Sequence, residues 1–411
     1  MDWLAPLAVL AAMVIFWRLP TYLTRYRLLL IGSILLSGFM TWQWLTGFDQ
    51  RPLDRIFAAV AFSIANLLLV ALTVWVARRA QRGQRRFITA GLLVLIGVFI
   101  LSKWPAAMHT VLQPLGIPAA AWLGISYLLF RLLHVLLESR RGQLPDLKLG
   151  EMVVYALFPA SFISGPIDRF PRFKSDLDQA GQPFRFSFAA DGLWLLLIGA
   201  FKKFVIADFL AGMPLDLAQY PSSTPAPYLW LALYGYGFLL YFDFSGYTDM
   251  AIGAARLIGF HLPENFNAPY AKTSLARFWQ AWHITLSFWA RDYVFLPLAR
   301  TLRMRAEWLP ANGAALMCHL ATMLVIGLWH GFAWTFVAWG VWHGAGLFIV
   351  KVWGDWRRPR ARRAAASGRS RWWALPGWFL TFNFVMLGWV FFQTSDLSIA
   401  LTTLGRLFGI K

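Results

Sequence analysis

Long stretches without a charged side chain constrain this chain more than any other feature of its sequence. A helix that crosses a membrane needs about 20 predominantly apolar residues, and the longest stretch, Trp308–Val350, is long enough for two crossings. These runs predict an all-α, polytopic membrane protein. The six other stretches are Leu28–Phe48, Ile56–Ala77, Phe87–Ser102, Trp104–Phe130, Leu217–Phe242 and Trp372–Ser395.

Composition excludes a soluble protein with two or three domains. The chain is 59% hydrophobic and 14% charged, whereas soluble globular chains carry about 25% charged residues. A soluble core cannot enclose so much apolar surface, because a folded domain always leaves a large part of its surface in water. Lipid can cover that surface.

Shorter apolar segments add to the number of helices. We predict about 11 transmembrane helices together with re-entrant or interfacial ones, because the shorter segments cross a bilayer incompletely. Residues 1–411 are interpreted as one transmembrane domain, with the chemistry-bearing core at about 150–350. The shorter segments are Trp3–Trp17, Met152–Ile167, Gly192–Phe201 and Ile284–Ala290.

The basic residues are clustered between the apolar stretches. A formal net charge of +19 would suggest nucleic-acid binding in a soluble protein. Here, alternating crossings place every basic cluster on one side, as the positive-inside rule requires of the cytoplasmic side. We therefore predict a multi-pass membrane protein with both termini outside the cytoplasm and no nucleic-acid partner. The last cluster, Arg357–Arg371, is predicted to be a flexible cytoplasmic loop.

Neither a disulfide nor a metal site is indicated. Cys318 is the one cysteine and lies in an apolar stretch, so we interpret it as a packing residue. The histidines of the motifs have no Cys, Asp or Glu neighbour at the spacing of metal ligands.

Polar, charged and glycine residues enter the apolar segments from Phe158 onward. Such residues are costly at membrane depth and usually mark a functional site. Four segments carry them: 158–173 (FPASFISGPIDRFPRF), 241–270 (YFDFSGYTDMAIGAARLIGFHLPENFNAPY), 278–293 (FWQAWHITLSFWARDY) and 327–346 (GLWHGFAWTFVAWGVWHGAG).

The acidic residues of these segments favour structural roles. Asp168 and Arg169 follow the helix-breaking pair Gly165-Pro166 and are expected to position a loop. Asp243 and Asp249 lie six residues apart, about 240° around a helix, and so do not share a face. This spacing argues against a paired-carboxylate site, and Asp243 is interpreted as a network residue that holds irregular backbone.

Two of the seven histidines have surroundings that suit acid–base chemistry. His283 lies among several tryptophans, and His330 follows Trp329 between Gly327 and Gly331. A neutral imidazole in such a site can take a proton from a hydroxyl group as that group attacks a carbonyl. For His109, His134 and His319 we expect helix–helix contacts instead.

The pentad GLWHG at 327–331 nearly repeats as GVWHG at 340–344. His330 and His343 are 13 residues apart, which is about 220° net on a continuous helix. Both can line one small site only if the helix breaks between them, and spacing alone does not choose between them.

These motifs resemble the membrane-bound O-acyltransferase (MBOAT) family. Five of its motifs occur in order: SGPIDRF, YFDFSGYTDMAIG, ENFNAPY, the segment around His283, and GLWHG. The resemblance implies a ring of helices around a central tunnel, with His330 at the position of the family's invariant histidine and His283 at its second catalytic position. We expect Trp329, Trp282, Asp243 and Asn265 to line the substrate site.

Two bacterial branches of the family fit, and both remain open. SGPIDRF and LSFWARDYVF resemble the branch that transfers D-alanine to cell-envelope polymers such as teichoic acid. That branch implies a donor thioester on the phosphopantetheine of a carrier protein, no bound cofactor, and an accessory extracytoplasmic or single-pass transferase. The richness in arginine, alanine and tryptophan is unusual for it, and the alternative branch O-acetylates exported polysaccharides of the alginate or cellulose type.

The segment 293–305 is the candidate docking surface for an acidic carrier protein on the cytoplasmic face. It mixes the apolar residues Leu296, Leu298 and Leu302 with the basic residues Arg300, Arg303 and Arg305. Arginines that only enforce membrane topology are an equally good explanation. A transporter that uses His283 and His330 as a proton relay is disfavoured, because the two halves show no inverted repeat.

Overall fold

The computed structural model describes residues 22–45, 52–104, 110, 123–142, 144–179, 186–220, 223–306, 308–365 and 374–410. Within these ranges the chain is helical and contains no strand, as predicted. The helices are α1 (Tyr22–Leu45), α2 (Pro52–Gln81), α3 (Arg86–Lys103), α4 (Ile125–Arg141), α5 (Leu149–Ala156), α6 (Phe170–Asp178), α7 (Phe186–Ala200), α8 (Asp208–Ala211), α9 (Ala226–Leu257), α10 (Leu275–Trp279), α11 (Ile284–Ala290), α12 (Leu296–Arg305), α13 (Ala311–His330), α14 (Trp334–Ala365), α15 (Ala374–Gln393) and α16 (Leu397–Leu407).

Five helices of the described ranges are long and apolar enough to cross a membrane: Leu53–Gln81, Arg86–Lys103, Ala311–His330, Trp334–Arg357 and Ala374–Gln393. Each overlaps an uncharged stretch of the sequence, and Ala311–His330 and Trp334–Arg357 overlap the same one. The count of about 11 transmembrane helices and their arrangement as a ring around a tunnel remain predictions, and the segment Trp3–Trp17 lies outside the described residues.

Two sequence-based expectations need correction. The segment Met152–Ile167 is not one helix: α5 ends at Ala156, and a short 3₁₀ turn, Pro159–Ser161, follows. The region from Arg357 is not a loop throughout, because α14 continues through Ala365.

The chain divides into two compact units. Unit 1 comprises Met1–Gly199 and Thr248–Pro263, and unit 2 comprises Ala200–Tyr247 and Glu264–Lys411. The boundary falls within α9, so this helix contributes to both units. Whether the two units act as one domain stays a prediction.

The core of unit 1 is built from aliphatic side chains and phenylalanine rings. Leu128, Leu132 and Leu136 follow each other at four-residue spacing on α4 and are fully buried, so they line one face of the helix. Burial of each leucine contributes about 1.5–3 kcal/mol. Three phenylalanine rings, Phe158, Phe173 and Phe260, pack together with centroids 4.9–5.1 Å apart.

Arg131 of α4 is 1% exposed and binds the end of α5. Its Nη1 donates to the carbonyl oxygens of Tyr155 (3.1 Å) and Ala156 (2.9 Å), and its Nη2 donates to the carbonyl oxygen and Oγ of Ser161. The last carbonyls of a helix have no partner within it, and a cation suits the negative end of the helix dipole. Arg131 therefore caps α5 and fixes the turn that follows.

Asp168 organises the start of α6. Its Oδ1 accepts from the backbone N–H of Arg169 (2.7 Å) and from Nε of Arg172 (2.6 Å). Arg172 also donates to Asp176 (2.9 Å), which accepts the backbone N–H of His261 (2.7 Å). The predicted structural role of Asp168 is confirmed, with Arg172 as its charged side-chain partner.

In unit 2, α13 and α14 form a close helical hairpin. A side chain at Gly327 would collide with the carbonyl oxygen of Phe336, and a Cβ at Gly340 would lie 2.9 Å from the carbonyl oxygen of Met323. Small residues thus allow the two backbones to touch. The helix breaks immediately after His330. This is the break that the 13-residue spacing requires if His330 and His343 are both to lie near one site.

Candidate active site

His283 is held in an unusual backbone conformation at the start of α11. Its φ of 43° lies in the left-handed region, which residues other than glycine rarely adopt and which often occurs at functional sites. The segment 265–267 stabilises this conformation through two backbone hydrogen bonds. The N–H of Ile284 donates to the carbonyl of Asn265 (2.9 Å), and the N–H of Asn267 donates to the carbonyl of Ala281 (3.0 Å).

The side chain of Asn265 defines which nitrogen of His283 carries the proton. Asn265 Oδ1 accepts from the backbone N–H (3.2 Å) and the hydroxyl (2.9 Å) of Thr285, and it lies 3.1 Å from Nδ1 of His283. Because a backbone N–H can only donate, this atom is the amide oxygen, and Nδ1 must donate to it. The neutral imidazole of His283 therefore carries its lone pair on Nε2.

Trp329 connects the two predicted catalytic histidines. His330 is the last residue of α13, and its ring centroid lies 4.4 Å from that of Trp329. The ring of His283 lies 5.9 Å from the same indole. The structure therefore brings together four of the predicted site residues: His283, Asn265, Trp329 and His330.

Aromatic rings enclose both histidines. Phe244 of α9 lies 4.8 Å from the ring of His283. Around His330, the ring centroid of Phe392 lies at 4.7 Å, that of Trp339 at 5.7 Å and that of Phe336 at 5.8 Å. Walls of this kind exclude water, which strengthens electrostatic interactions inside the site.

Trp282 is buried in an aromatic cluster beside His283. Its ring stacks on Phe278 (5.6 Å) and contacts Tyr270 (5.6 Å) and Trp389 (5.1 Å). The hydroxyl of Tyr270 accepts from Trp389 Nε1 at 3.1 Å. The structure thus gives Trp282 packing contacts that support the backbone of His283; substrate contact by Trp282 stays a prediction.

Asp243 pairs with Lys203 through a short ion pair. Lys203 belongs to a π-helical segment, Phe201–Ala207, that joins α7 to α8. This agrees with the interpretation of Asp243 as a residue that holds irregular backbone. Asp243 directly precedes Phe244, the residue that packs on His283, but its described partner is the lysine.

The predicted docking residues lie on α12, an amphipathic helix that follows the π-helical segment Arg291–Phe295. Leu296 is exposed, and so are Arg300 and Arg303, whereas Leu298 and Leu302 are half-buried. Beyond the helix, Trp308 is 82% exposed. Apolar and basic side chains therefore share one accessible surface here.

Comparison with known proteins identifies the family. The sequence model of MBOAT, the membrane-bound O-acyltransferase family, matches residues 62–392, which is most of the chain. The chain belongs to this family. It is accordingly a membrane-embedded O-acyltransferase, and the family recognised from the motifs is confirmed.

Relatives within the family carry different substrate names. A teichoic acid D-alanyltransferase of Streptococcus thermophilus is 34% identical over 282 residues, which cover 66% of this chain and 68% of that protein. A second one, from Bacillus subtilis, is 30% identical over 353 residues, 84% of this chain and 86% of that protein. A probable alginate O-acetylase AlgI of Azotobacter vinelandii is 30% identical over 403 residues, 94% of this chain and 73% of that protein.

Sequence reasoning missed several residues of this candidate site. Thr285 donates to the same Asn265 oxygen that binds His283, and the ring of Phe244 packs on His283. Only the position of Thr285, two residues after the histidine, could have suggested its role. His343 was set aside on the family resemblance, yet it is fully buried and contacts Trp339 (4.8 Å), which also contacts His330.

No group of three His, Cys, Asp or Glu side chains in the described ranges could hold a metal ion.

Proposed function

We propose that this acyltransferase passes a D-alanyl group from a carrier-protein thioester to a hydroxyl acceptor, for the D-alanylation of a cell-envelope polymer. The observation that carries the proposal is that the rings of His283 and His330 both contact the indole ring of Trp329. Two imidazoles in one site lined by aromatic rings suit the transfer of a proton during attack on a carbonyl.

The transfer is a single displacement at the carbonyl carbon. The acceptor hydroxyl oxygen attacks the thioester carbon, and its proton passes to His330 as the general base. The C–O bond forms, the C–S bond breaks, and the sulfur leaves as a thiol after taking up the proton from His330. Base assistance of this kind contributes about 10²–10⁴-fold to the rate.

His283 assists through its fixed orientation. The hydrogen bond between its Nδ1–H and Asn265 Oδ1 (3.1 Å) directs the Nε2 lone pair and keeps the ring from turning. A positioned second imidazole can orient the acceptor hydroxyl or the carbonyl, and correct orientation is a large part of enzymatic rate enhancement. We place Trp329, Trp282, Asp243 and Asn265 in the substrate site. Asn265 acts there by orienting His283, and Asp243 belongs to it because the next residue, Phe244, packs on His283.

The D-alanyl donor is supported by the relatives named as teichoic acid D-alanyltransferases. The donor would be bound to the phosphopantetheine arm of a small acidic carrier protein, and no resident cofactor is required. The carrier would dock on α12, where Leu296, Leu298 and Leu302 offer apolar contacts and Arg300 and Arg303 offer positive charge. An extracytoplasmic or single-pass accessory transferase would pass the D-alanyl group on to the polymer.

The proposed setting is the bacterial inner membrane. Its support is the clustering of arginine between apolar segments, which the positive-inside rule assigns to the cytoplasm. Both termini would then lie outside the cytoplasm. A ring of helices around a tunnel would let the donor enter from the cytoplasm and the acceptor from the opposite side.

O-acetylation of an exported polysaccharide is the second candidate. It is favoured by the alignment with the probable alginate O-acetylase, which covers 94% of this chain. The chemistry at His330 would be the same, and the donor and acceptor would differ.

The test uses membranes that contain the protein, with a radiolabelled D-alanyl-carrier protein in one arm and a radiolabelled acetyl donor in the other. Label transfer from the D-alanyl carrier, lost in His330→Ala, is the expected result. Transfer from the acetyl donor alone would select O-acetylation. Undiminished transfer by His330→Ala would contradict the proposed catalytic role.

A further inference from the structure

His343 is the most buried of the described histidines, with an exposed fraction of 0%. Neither nitrogen of its ring has a hydrogen-bond partner among the residues that the structure describes. Buried polar side chains are nearly always paired, and an exception calls for an explanation. A phenylalanine would fill the same place without burying two unpaired polar atoms.

Two tryptophans pack against the ring of His343. The ring centroids of Trp279 and Trp339 lie 5.2 Å and 4.8 Å from the imidazole and 5.6 Å from each other. In both indoles, Nε1 is buried and has no partner within the described part of the chain. Three mutually packed side chains therefore present two N–H donors and an imidazole that can accept one of them.

The backbone is shaped to accommodate this imidazole. A Cβ at position 388 would lie 2.8 Å from Nε2 of His343, so Gly388 of α15 lets the ring pack directly against the backbone. Gly344, the next residue of α14, lets the backbone of α14 approach that of α13, where a Cβ would lie 2.9 Å from Cα of Leu320. The imidazole itself is contacted by Gly388 of α15 and by Trp279 of α10.

Trp339 links His343 to the acyl-transfer site. It lies four residues before His343 on α14, one helical turn away on the same face, and its ring also contacts His330 at 5.7 Å. A change in the orientation of this indole would alter the wall of the pocket beside the proposed base.

We propose that His343 is a positioning residue for acyl transfer. In the reacting complex one of its ring nitrogens accepts the indole N–H of Trp339 and so holds Trp339 against His330. Catalytic hydrogen bonds are often long in the resting protein and shorten when substrate binds. The inference rests on the proposed function, since it assigns His343 to the support of the base named there.

The test separates hydrogen bonding from packing by comparing His343→Gln with His343→Phe. Glutamine keeps an acceptor atom, whereas phenylalanine keeps the ring. We expect His343→Phe to lower kcat about 10-fold, as misplacement of a catalytic group does, with an unchanged KM for the labelled donor that the wild type uses. His343→Gln should retain more activity than His343→Phe. The matched control is His319→Phe on α13, which should leave kcat unchanged.

A His343→Phe variant as active as His343→Gln would show that the ring only packs, and would overturn the inference. If both variants fail to fold, as judged by size-exclusion profile and thermal unfolding, Trp339→Phe replaces them, since it removes the N–H and keeps an aromatic ring. It should lower kcat by a similar factor, and full activity would again overturn the inference. Full activity of His330→Ala would instead contradict the proposed function itself.

Discussion

Buried histidines are used differently in the two units of the chain. In unit 1, Nε2 of His134 accepts the backbone N–H of Phe170 at 3.2 Å and so joins α4 to the start of α6. In unit 2, the Nδ1–H of His283 is bound by Asn265, which leaves its lone pair on Nε2, and His343 has no described partner for either nitrogen. The histidine of unit 1 holds backbone, whereas those of unit 2 are oriented by their neighbours.

The cores of the two units also differ in the side chains that fill them. Unit 1 is packed with aliphatic side chains and phenylalanine rings, and its buried arginine, Arg131, binds carbonyl oxygens at a helix end. Around the histidines of unit 2 the packing is aromatic, with tryptophans at 279, 282, 329, 339 and 389 in ring contact with a histidine or with each other. Aromatic rings exclude water and have few rotamers, so they suit a site that must hold imidazoles in place.

The largest expected effect is on stability, from Arg131→Met in unit 1. Loss of the guanidinium leaves buried carbonyl oxygens unsatisfied, and we expect the free energy of unfolding to fall by about 3 kcal/mol. The rate of acyl transfer per folded molecule should not change. Thermal unfolding in detergent measures the first quantity, and Arg140→Met at the exposed end of the same helix is the control. Unaltered stability would show that Arg131 does not hold unit 1 together.

For Asn265→Leu in unit 2 we expect the reverse, a change in the rate of acyl transfer and not in stability. This change removes the acceptor that fixes His283, and kcat should fall about 10-fold because the imidazole loses its orientation. The exposed neighbour Asn267 provides the control substitution Asn267→Leu, which should retain wild-type kcat. Equal kcat in both variants would mean that the orientation of His283 does not matter.

A smaller effect is expected from the double variant Arg300→Gln/Arg303→Gln on α12. The KM for the acyl-carrier protein should rise about 3-fold, and its dependence on salt should weaken, because rim charges mainly affect association. With a D-alanyl pantetheine thioester, which has no protein to dock, the variant should match the wild type. The exposed Arg82→Gln in unit 1 serves as the control, and an unchanged KM would assign the arginines of α12 to membrane topology.

The helices could be predicted from the sequence because uncharged runs of membrane-spanning length leave few alternatives to a transmembrane helix. From the sequence we could say only that the histidines of the two pentads can meet if the helix breaks between them, since 13 residues otherwise place them on nearly opposite faces. The break lies at Gly331, and the close contact between the backbones of α13 and α14 at Gly327 is a tertiary feature that the spacing does not encode.

Other parts of the site could not be read from the sequence for similar reasons. Asn265 and His283 are 18 residues apart, and their hydrogen bond depends on the left-handed conformation of His283. The burial of His343 depends on Trp279, which comes from a different motif. Asn265 was predicted as a site residue from its place in a polar turn, but its role as the acceptor for His283 emerged only from the fold.

The most direct test of the proposed site replaces one histidine in each unit by the same residue, His330→Phe and His134→Phe, and measures the initial rate of acyl transfer from radiolabelled donor per folded molecule. We expect a loss of about 10²–10⁴-fold for His330→Phe and a wild-type rate for the folded fraction of His134→Phe. Equal rates for the two variants would contradict the assignment of acyl-transfer chemistry to the aromatic site of unit 2.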